Sequence, residues 1–384
     1  MLFTSKKQGG KMSFLLKKAE EIADIRKGEF TSKFNEAPSV KIIVFGCGGA
    51  GSNAATNIFS RNMPGVTVVA ANTDAQHLNE RTRANQKILL GAEVTKGRGA
   101  GGIMGIGGAA AEASIQEIKN ALKGSDLVFI TAGMGGGTGT GTAPIVAKAA
   151  KDLGALVISI ITMPFSMECG RIGTAISGLA KLREFSDTVT VIDNNRITDV
   201  FGDLPCRNAF AMADTIITTS IEGIATTVNN VGEINLDFSD LRRIFETGGT
   251  LATVGVGEKN SSEAKTEEES VEAAVKQALS SPLLDITYEG ATGALVDITV
   301  GTKVRLRNFT KVGEMIASKM DPGAINMVGL RVSPDMGEHG VRVITTITGV
   351  SSPQILNQKS EYEQVLERKN ILKSKLGLDA IEID

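Results

Sequence analysis

Residues 132–142 read AGMGGGTGTGT, and the interpretation of the whole chain begins with this run. Six of its eleven residues are glycine and three are threonine. It lies between an apolar, strand-like segment at 126–131 and a helix-like segment at 143–153. Because glycine lets a backbone approach a ligand closely and the following helix directs unpaired N–H groups toward the loop, the pattern predicts a phosphate-binding loop. A flexible linker is the alternative, although linkers are rarely found between a buried strand and a helix.

A second glycine turn lies upstream, at residues 46–53, which read GCGGAGSN and follow an apolar run at 40–45. Its glycines have G-x-G-x-x-G spacing, and Asp74 ends the next strand-like run 23 positions after Gly51. Read alone, this arrangement fits a dinucleotide-binding fold in which the acid binds a ribose hydroxyl, as in an NAD-dependent dehydrogenase. That reading leaves the glycine-threonine run unexplained. The run also has no lysine, so it is not the G-x-x-x-x-G-K-[ST] loop of the common nucleotidases.

Strand-like and helical patterns alternate through the first half of the chain. Further strand-like runs at 87–90, 155–162 and 188–192 end in polar or glycine-rich turns. The glycine-rich turn at 95–108 carries Lys96 and Arg98 and leads into a helical pattern at 109–122. It could sense the terminal phosphate of a nucleotide, or it could be a solvated loop. The alternation predicts an α/β, Rossmann-like parallel sheet with its ligand beyond the carboxyl ends of the strands.

The second half of the chain predicts a separate, smaller domain. A helical pattern at 208–231 is unusually long for a crossover connection, and strands and helices in mixed order follow it. We therefore expect a long central helix that joins the parallel-sheet domain to an α+β domain. The predicted boundaries are 1–38 for an N-terminal arm, 39–232 for the ligand-binding domain with its central helix, 233–247 for a loop and connecting helix, 248–352 for the C-terminal domain and 353–384 for a helical tail.

The composition argues against several classes of protein. Of the 384 residues, 42% are hydrophobic and 22% are charged, and the formal net charge is −2, which gives no general attraction for nucleic acid or anionic membranes. Three scattered cysteines and two histidines are too few for a disulfide framework or a zinc site. No apolar run reaches the roughly 18 residues that span a bilayer, and the N-terminus has no compact signal-peptide core. We expect a cytoplasmic protein with no metal cluster of its own.

Five segments carry a resemblance to a known family. In chain order they are 46–53 (GCGGAGSN), 72–76 (NTDAQ), 95–102 (TKGRGAGG), 135–141 (GGGTGTG) and 235–240 (NLDFSD). In this order they resemble the FtsZ family, the prokaryotic relatives of tubulin, over roughly residues 40–350. The resemblance implies a tubulin/FtsZ-like fold and a GTP-hydrolysing, polymerising protein of cell division that uses GTP/GDP and Mg²⁺.

The resemblance also implies roles for individual residues. The two glycine loops would hold the α- and β-phosphates, and Ala100 and Gly101 would approach the γ-phosphate. Glu168 would hold the ribose, while Asn194 and Asp214 would read the guanine base. A solvent-facing Asp214 is the alternative, although an acid on an otherwise apolar helical face is unusual. The residues expected to contact the nucleotide are Gly48, Gly49, Ala50, Gly51, Asn53, Asp74, Ala100, Gly101, Gly102, Gly135, Gly136, Gly137, Thr138, Gly139, Thr140, Gly141, Glu168, Arg171, Asn194 and Asp214.

A group of polar residues follows the long helix, namely Asn235, Asp237 and Asp240. A helix over 208–231 spans about 36 Å, so we expect these acids to lie too far from the nucleotide of their own subunit. The resemblance implies that they act on the nucleotide of the next subunit in a head-to-tail homopolymer, where they orient the attacking water near Mg²⁺. The alternative is local, because Asp-x-x-Asp at the start of a helix is also an N-cap followed by a first-turn acid.

The sequence departs from the family pattern in three places. Ile172 stands where the family has an arginine, with Arg171 one position earlier, and GGIMG at 101–105 replaces the family's Gly-Gly-Asn-Pro-Glu. The tail lacks the proline-centred peptide by which bacterial members bind membrane adaptors, so the chain is more similar to archaeal members. The departures around Ile103 and Ile172 leave a paralogue that hydrolyses GTP slowly or not at all as an alternative. We expect division proteins and membrane anchors as partners, no nucleic-acid binding, no direct membrane insertion, and a location at the mid-cell division site.

Overall fold

The computed structural model describes residues 40–201, 203, 205–229, 237–247, 251–259, 267–280, 288 and 290–351. The predicted N-terminal arm, the predicted C-terminal tail and Asn235 lie outside the described residues. The predicted domain boundaries stay predictions.

Ten strands of the described residues form one hydrogen-bonded sheet. They are β1 (Ile42–Cys47), β2 (Val66–Asn72), β3 (Gln86–Leu89), β4 (Leu127–Gly133), β5 (Leu156–Met163), β6 (Thr188–Asp193), β7 (Leu251–Lys259), β8 (Gly293–Val300), β9 (Ile325–Val332) and β10 (Val341–Thr348). Their spatial order is β3-β2-β1-β4-β5-β6-β7-β10-β8-β9. Every pairing from β3 across to β6 is parallel, as the alternating pattern predicts. The pairing of β6 with β7 is also parallel, whereas β10 runs antiparallel to both of its neighbours.

Helices cover both faces of this sheet within the described part of the chain. They are α1 (Gly48–Ser60), α2 (Ala75–Glu80), α3 (Ala92–Thr95), α4 (Met104–Ala113), α5 (Ile115–Leu122), α6 (Thr138–Asp152), α7 (Cys169–Phe185), α8 (Asn194–Phe201), α9 (Cys206–Asn229), α10 (Phe238–Thr247), α11 (Glu267–Leu279) and α12 (Leu306–Ala317), with a short 3₁₀ helix at Pro334–Met336. None of the helices described is long and apolar enough to cross a membrane.

The central strands are buried on both faces, which explains their continuous apolar sequences. Successive side chains of a strand point to opposite faces, so Ile42 and Val44 of β1 enter one core cluster, and Ile43 and Phe45 enter the other. All six residues of β1 are buried. The sheet therefore separates two apolar layers, and its polar turns are left at the strand ends.

A narrow seam joins the two halves of the sheet. Strand β6 pairs with β7 through two residue pairs, Val189 with Leu251 and Thr190 with Ala252, whereas β1 and β2 share six. The sequence patterns did not predict that strands from the two halves of the chain would belong to one sheet, because the seam involves residues about 60 positions apart and no local signal marks it.

Two helices differ from their predicted bounds because glycine serves close packing in them. Helix α6 begins at Thr138, and α4 begins at Met104, so much of each glycine-rich run is helical rather than loop. A side chain at Gly141 would overlap the carbonyl oxygen of Met104, and one at Gly107 would overlap that of Gly137. The glycines therefore let α4 and α6 approach each other backbone to backbone.

The single helix predicted at 109–122 is also divided into two in the structure. It breaks at Ser114, whose hydroxyl oxygen accepts a hydrogen bond from the backbone N–H of Gly91 at 3.0 Å. This serine is the shared boundary of α4 and α5 because its side chain serves the neighbouring turn.

The long helix α9 runs from the carboxyl ends of the parallel strands to their amino ends. Near its beginning, Asp214 accepts a hydrogen bond from Asn57 of α1. At its end, the side-chain amide of Asn229 lies against Gly65, which immediately precedes β2. The fifteen-residue step from Asp214 to Asn229 corresponds to about 22 Å along the helix axis. Residues 230 and 231, which the sequence pattern included, lie outside the described residues.

We predict that Gly255→Ala destabilises the protein. A Cβ at Gly255 would overlap the carbonyl oxygen of Ala278 in α11, so the helix would have to move off the strand. The expected loss is about 1–3 kcal/mol in the free energy of unfolding, measured by urea denaturation. Gly173→Ala is the matched control, because nothing lies within 4 Å of a Cβ there and alanine is the better helix former. Equal stability of the two variants would contradict this packing argument.

Candidate functional site

Two adjoining cavities lie at the carboxyl edge of the parallel strands. One has a volume of about 270 Å³ and is lined mainly by residues of the two glycine loops, and the other, of about 220 Å³, lies between α1 and α9. Ala50, Thr162 and Asn194 line both. The two cavities therefore form one continuous cleft, at the edge where parallel α/β sheets bind ligands. We call them the loop cavity and the helix cavity.

The loop cavity has the properties of an anion site. Nothing lies within 4 Å of a Cβ built on Gly49 or Gly136, so the backbone at both positions faces open space. Helix α6 begins with Thr138 at the wall of this cavity. The N-terminus of a helix directs unpaired N–H groups and a partial positive charge at whatever occupies such a space.

Threonine hydroxyl groups hold the glycine-threonine loop in place. The Oγ1 atoms of Thr73 and Thr138 are 2.6 Å apart, which joins the loop after β2 to the start of α6. The hydroxyl oxygen of Thr140 accepts from the backbone N–H of Gly135 at 2.9 Å, which closes the loop on itself. Thr140 is fully buried, so in this structure its hydroxyl serves the loop's conformation.

The predicted nucleotide contacts separate into two groups. Those that line the cleft are Gly49, Ala50, Gly51, Asn53, Gly136, Gly137, Thr138, Gly139, Glu168, Arg171, Asn194 and Asp214. Those that line neither cavity are Gly48, Asp74, Ala100, Gly101, Gly102, Gly135, Thr140 and Gly141. Several members of the second group pack against the loops on the side away from the cavities. Gly48, for example, has a φ of 71° and leaves no room for a side chain against Gly139.

Asp74 and the segment after Arg98 lie beside the cleft. The Asp74 carboxylate accepts from the backbone N–H of His77 at 3.0 Å and so caps helix α2. Ala100 is buried against Gly137, whereas Gly101 and its neighbour Gly102 are exposed with open space around them. A contact between these residues and a ligand stays a prediction.

Glu168 and Arg171 form an ion pair on the rim of the loop cavity. The guanidinium group of Arg171 donates to a carboxylate oxygen of Glu168 at 2.6 Å, and the other oxygen accepts from the backbone N–H of Phe165 at 3.2 Å. Both side chains line the cavity. Although Ile172 replaces the expected arginine, the cleft thus has a guanidinium group one position earlier.

The helix cavity is apolar with a few polar groups. Ile160, Ile197 and Ile217 line it together with Asn53 and Asp214. Asp214 is partly buried, and this burial raises the pKa of its carboxyl, while a 3.0 Å hydrogen bond from Asn57 opposes the shift. Apolar walls with one carboxylate suit a planar base that carries hydrogen-bond donors on its edge.

Asp237 and Asp240 lie near the amino ends of the parallel strands, whereas the cleft lies at the carboxyl ends. Arg242, in the same helix α10, donates to the carbonyl oxygen of Gly154 at 3.2 Å, and Gly154 precedes the first residue of β5. The cleft is formed at the other end of β5, by Thr162. The structure therefore does not bring the two acids to the cleft of the same chain.

Asp237 also caps helix α10. Its Oδ1 atom accepts from the hydroxyl of Ser239 at 2.6 Å and from the backbone N–H of Asp240 at 2.8 Å. These hydrogen bonds hold the pKa of the exposed Asp237 carboxyl below its usual range. Asp237 thus forms the N-cap that the local interpretation of Asp-x-x-Asp predicts. Its carboxylate is exposed and that of Asp240 is partly exposed, so the cap does not exclude a second role.

The described residues suit a Mg²⁺ ion that arrives with its nucleotide. No group of three or more His, Cys, Asp or Glu side chains among them could hold a metal ion. Mg²⁺ is commonly bound through substrate phosphates, waters and one or two carboxylates. Asp74 is the carboxylate next to Thr73, whose hydroxyl contacts the phosphate loop.

Sequence reasoning missed Thr162 and Asn57. Thr162 lines both cavities because it lies near the end of β5, and its carbonyl oxygen accepts from the N–H of Met134 at 2.8 Å. Its position near a strand's carboxyl end was the signal that could have identified it. Asn57 contacts Asp214, and its spacing of four residues from Asn53 on a helix was the available signal.

Comparison with known proteins agrees with this geometry. Residues 41–202 match the tubulin/FtsZ family, GTPase domain, and residues 250–351 match the FtsZ family, C-terminal domain. The chain is 43% identical over 336 residues to cell division protein FtsZ 2 of Methanocaldococcus jannaschii, which covers 88% of this chain and 86% of that protein. It is 44% identical over 327 residues to cell division protein FtsZ of Haloferax mediterranei, covering 85% and 84% of the two chains.

The fold agrees as well. A solved structure described as an empty FtsZ dimer of M. jannaschii superimposes with a TM-score of 0.74 at 39% identity, covering 87% of this chain and 92% of that one. Sequence similarity of this extent, together with the shared fold, establishes that the chain belongs to the FtsZ branch of the tubulin/FtsZ family.

Proposed function

We propose that this protein is a GTP-hydrolysing, filament-forming protein of cell division. Its relatives carry the description of cell division proteins, and its N-terminal half matches a GTPase domain. The observation that carries the mechanism is the position of Asp237 and Asp240, which lie at the opposite edge of the sheet from the cleft. A site divided in this way requires two copies of the chain.

The cleft accommodates the parts of GTP in order. The triphosphate lies in the loop cavity, where Gly49, Gly136 and the start of α6 offer backbone N–H groups. The ribose lies at the rim beside Glu168, and the guanine base enters the helix cavity with Asp214 and Asn194. A carboxylate accepts from both donors on guanine, whereas adenine presents no such pair.

Head-to-tail stacking completes the site. One copy presents its cleft and the next presents the α10 end, so the acids of the second copy meet the nucleotide of the first. The two faces in this contact are different surfaces, so the arrangement does not close on itself and produces a filament. The dimer described for M. jannaschii FtsZ is consistent with self-association in the family.

The carboxylates of Asp237 and Asp240 orient the attacking water and accept its proton as the γ-phosphoryl group is transferred. Asp237 is exposed and Asp240 is partly exposed, which lets them reach the cleft of another copy. Asn235 stays a proposed third member of this group. Mg²⁺, when bound, neutralises negative charge on the phosphates.

The partners and the cellular location of the protein are proposed from its membership of the family. Division proteins and a separate membrane anchor are its expected partners, and the cytoplasm at the division site is its expected location. The net charge of −2 argues against binding nucleic acid through a general electrostatic attraction.

A slowly hydrolysing structural paralogue is the second candidate. Ile103, in the segment expected beside the γ-phosphate, is 56% exposed, and no polar side chain replaces the family's residues there. The dehydrogenase alternative has lost its support, because residues 41–202 match the tubulin/FtsZ family, GTPase domain.

We predict that the specific rate of GTP hydrolysis rises with protein concentration and then levels off. Each active site needs two copies, so the fraction of complete sites grows with association. The measurement is phosphate release per mole of protein across a dilution series. A rate per mole that is constant at every concentration would contradict a site shared between copies.

We predict that Asp240→Asn and Asp237→Asn bind GTP normally but lose hydrolysis by at least about a hundredfold. Asparagine is as good an N-cap as aspartate, so Asp237→Asn removes the charge while retaining the acceptor oxygen of the cap. Glu246→Gln is the matched control, since it removes an exposed acid from the same helix. Loss of GTP binding in the asparagine variants would indicate a purely structural role.

A mixing experiment tests the division of the site directly. Asp240→Asn keeps its cleft, whereas Gly136→Asp places a carboxylate in the phosphate cavity, where nothing lies within 4 Å of the new Cβ. Each variant alone is expected to be inactive. Hydrolysis should return when the two are mixed, because one supplies the nucleotide and the other supplies the acids. A mixture as inactive as its components would refute the arrangement.

A further inference from the structure

We infer that Asn57 is a positioning residue for guanine recognition: its side-chain amide holds the Asp214 carboxylate in the orientation that accepts hydrogen bonds from the base. This inference rests on the proposed function, because it takes guanine to be the base that Asp214 binds. None of the motifs that identify the family includes Asn57.

Asn57 lies behind Asp214 rather than in the cavity. Its Nδ2 atom donates to Oδ2 of Asp214 at 3.0 Å, across the contact between α1 and α9. Asp214 lines the helix cavity, whereas Asn57 does not. Asn57 therefore acts on a ligand through Asp214.

The sequence of α1 explains this placement. Asn53 and Asn57 are four residues apart on the helix, so both side chains lie on the face that meets α9. Asn53 lines the cavity and Asn57 is one turn further along. One amide can thus reach the ligand while the next supports the carboxylate.

Guanine recognition makes two demands on this carboxylate. The base presents N1–H and its 2-amino group side by side, so both carboxylate oxygens must be acceptors and both must face the base edge. Burial of Asp214 favours its neutral form, which would convert one acceptor into a donor. The Asn57 hydrogen bond favours the charged form and also fixes the rotation of the carboxylate plane.

Among the described residues, no other side chain is seen to donate a hydrogen bond to the Asp214 carboxylate. Thr218 donates to the backbone carbonyl of Asp214, not to its carboxylate, so it supports the helix and leaves the side chain free to rotate. The hydrogen bond from Asn57 lowers the pKa of the Asp214 carboxyl and so opposes the effect of burial. Removal of Asn57 therefore affects the base contact more than the phosphate contacts, which lie in the other cavity.

The test compares GDP with inosine diphosphate, which has the same N1–H and phosphates but lacks the 2-amino group. Affinities are measured at protein concentrations too low for association, with diphosphates that are not hydrolysed. Asn57→Ala is expected to reduce the preference for GDP over inosine diphosphate roughly tenfold, the size of one hydrogen bond to a charged group. Equal weakening of both ligands would overturn the inference.

Asn57→Asp distinguishes the hydrogen bond from packing. The new side chain has nearly the same shape but replaces a donor with a carboxylate beside Asp214, so the preference for GDP should fall at least as far as in Asn57→Ala. A preference equal to that of the unmodified protein would show that shape alone is required. Ser60→Ala, on the same helix, is the control and should leave the preference unchanged.

A double variant locates the effect at Asp214. Asp214→Asn should itself reduce the preference, and adding Asn57→Ala to it should change nothing further, because Asn57 acts through the lost carboxylate. A second, additive loss would overturn the inference. If the unmodified protein bound no guanine nucleotide, the proposed function would fail. If it preferred GDP and the Asn57 variants kept that preference, only the positioning role would fail.

Discussion

Direct backbone contact at glycine holds the cleft together. Gly139 leaves no room for a side chain beside the carbonyl oxygens of Gly133 and Cys47, and a side chain at Gly137 would meet the backbone of Ile103. The glycine-threonine loop thereby touches β1, β4 and the start of α4 at once. Because these contacts involve main-chain atoms, any larger residue would separate the loops by more than a side-chain rotation could correct. The shape of the phosphate site depends on this packing.

The direction of the parallel strands determines the positions of the cleft and of the two acids. Parallel strands end at a common edge, so the turns after β1, β4 and β5 converge on one cleft. Helix α9 begins near that edge and ends near the opposite one, and α10 is held there by the hydrogen bond from Arg242 to Gly154. The distance between the cleft and the acids thus follows from strand direction and helix length, with no special feature required.

Much of the first half of the fold could be predicted from the sequence, because long apolar runs bounded by glycine turns are typical of buried parallel strands. The start of α6 could not. Its repeated glycines indicate a loop by local preference, and the helical conformation follows from contact with α4, which no local pattern records.

For the candidate site, Asp214 could be predicted because an acid on an apolar helical face requires a partner. The amide that contacts it was harder to identify, since Asn57 is distant from Asp214 in the sequence and its signal is no more than the spacing of four residues from Asn53. Asp74 shows a different limit of the sequence. It matches a ligand motif and also caps α2, because aspartate before a helix satisfies both descriptions equally well, and its contact with a nucleotide stays a prediction. The pairing of β6 with β7 could not be predicted either, because it joins residues that are distant in the sequence and no local pattern indicates it.

The opposite placement of cleft and acids has a consequence for the ends of a filament. In a head-to-tail stack of n copies there are n − 1 contacts, so one cleft, at one end, never receives acids from a neighbour. In the proposed mechanism, that terminal copy would retain its GTP while the interior copies hydrolyse theirs. The two ends are also chemically different, one presenting an open nucleotide and the other a pair of carboxylates. Two chemically different filament ends, with unhydrolysed GTP at one of them, would therefore follow from the geometry of a single subunit.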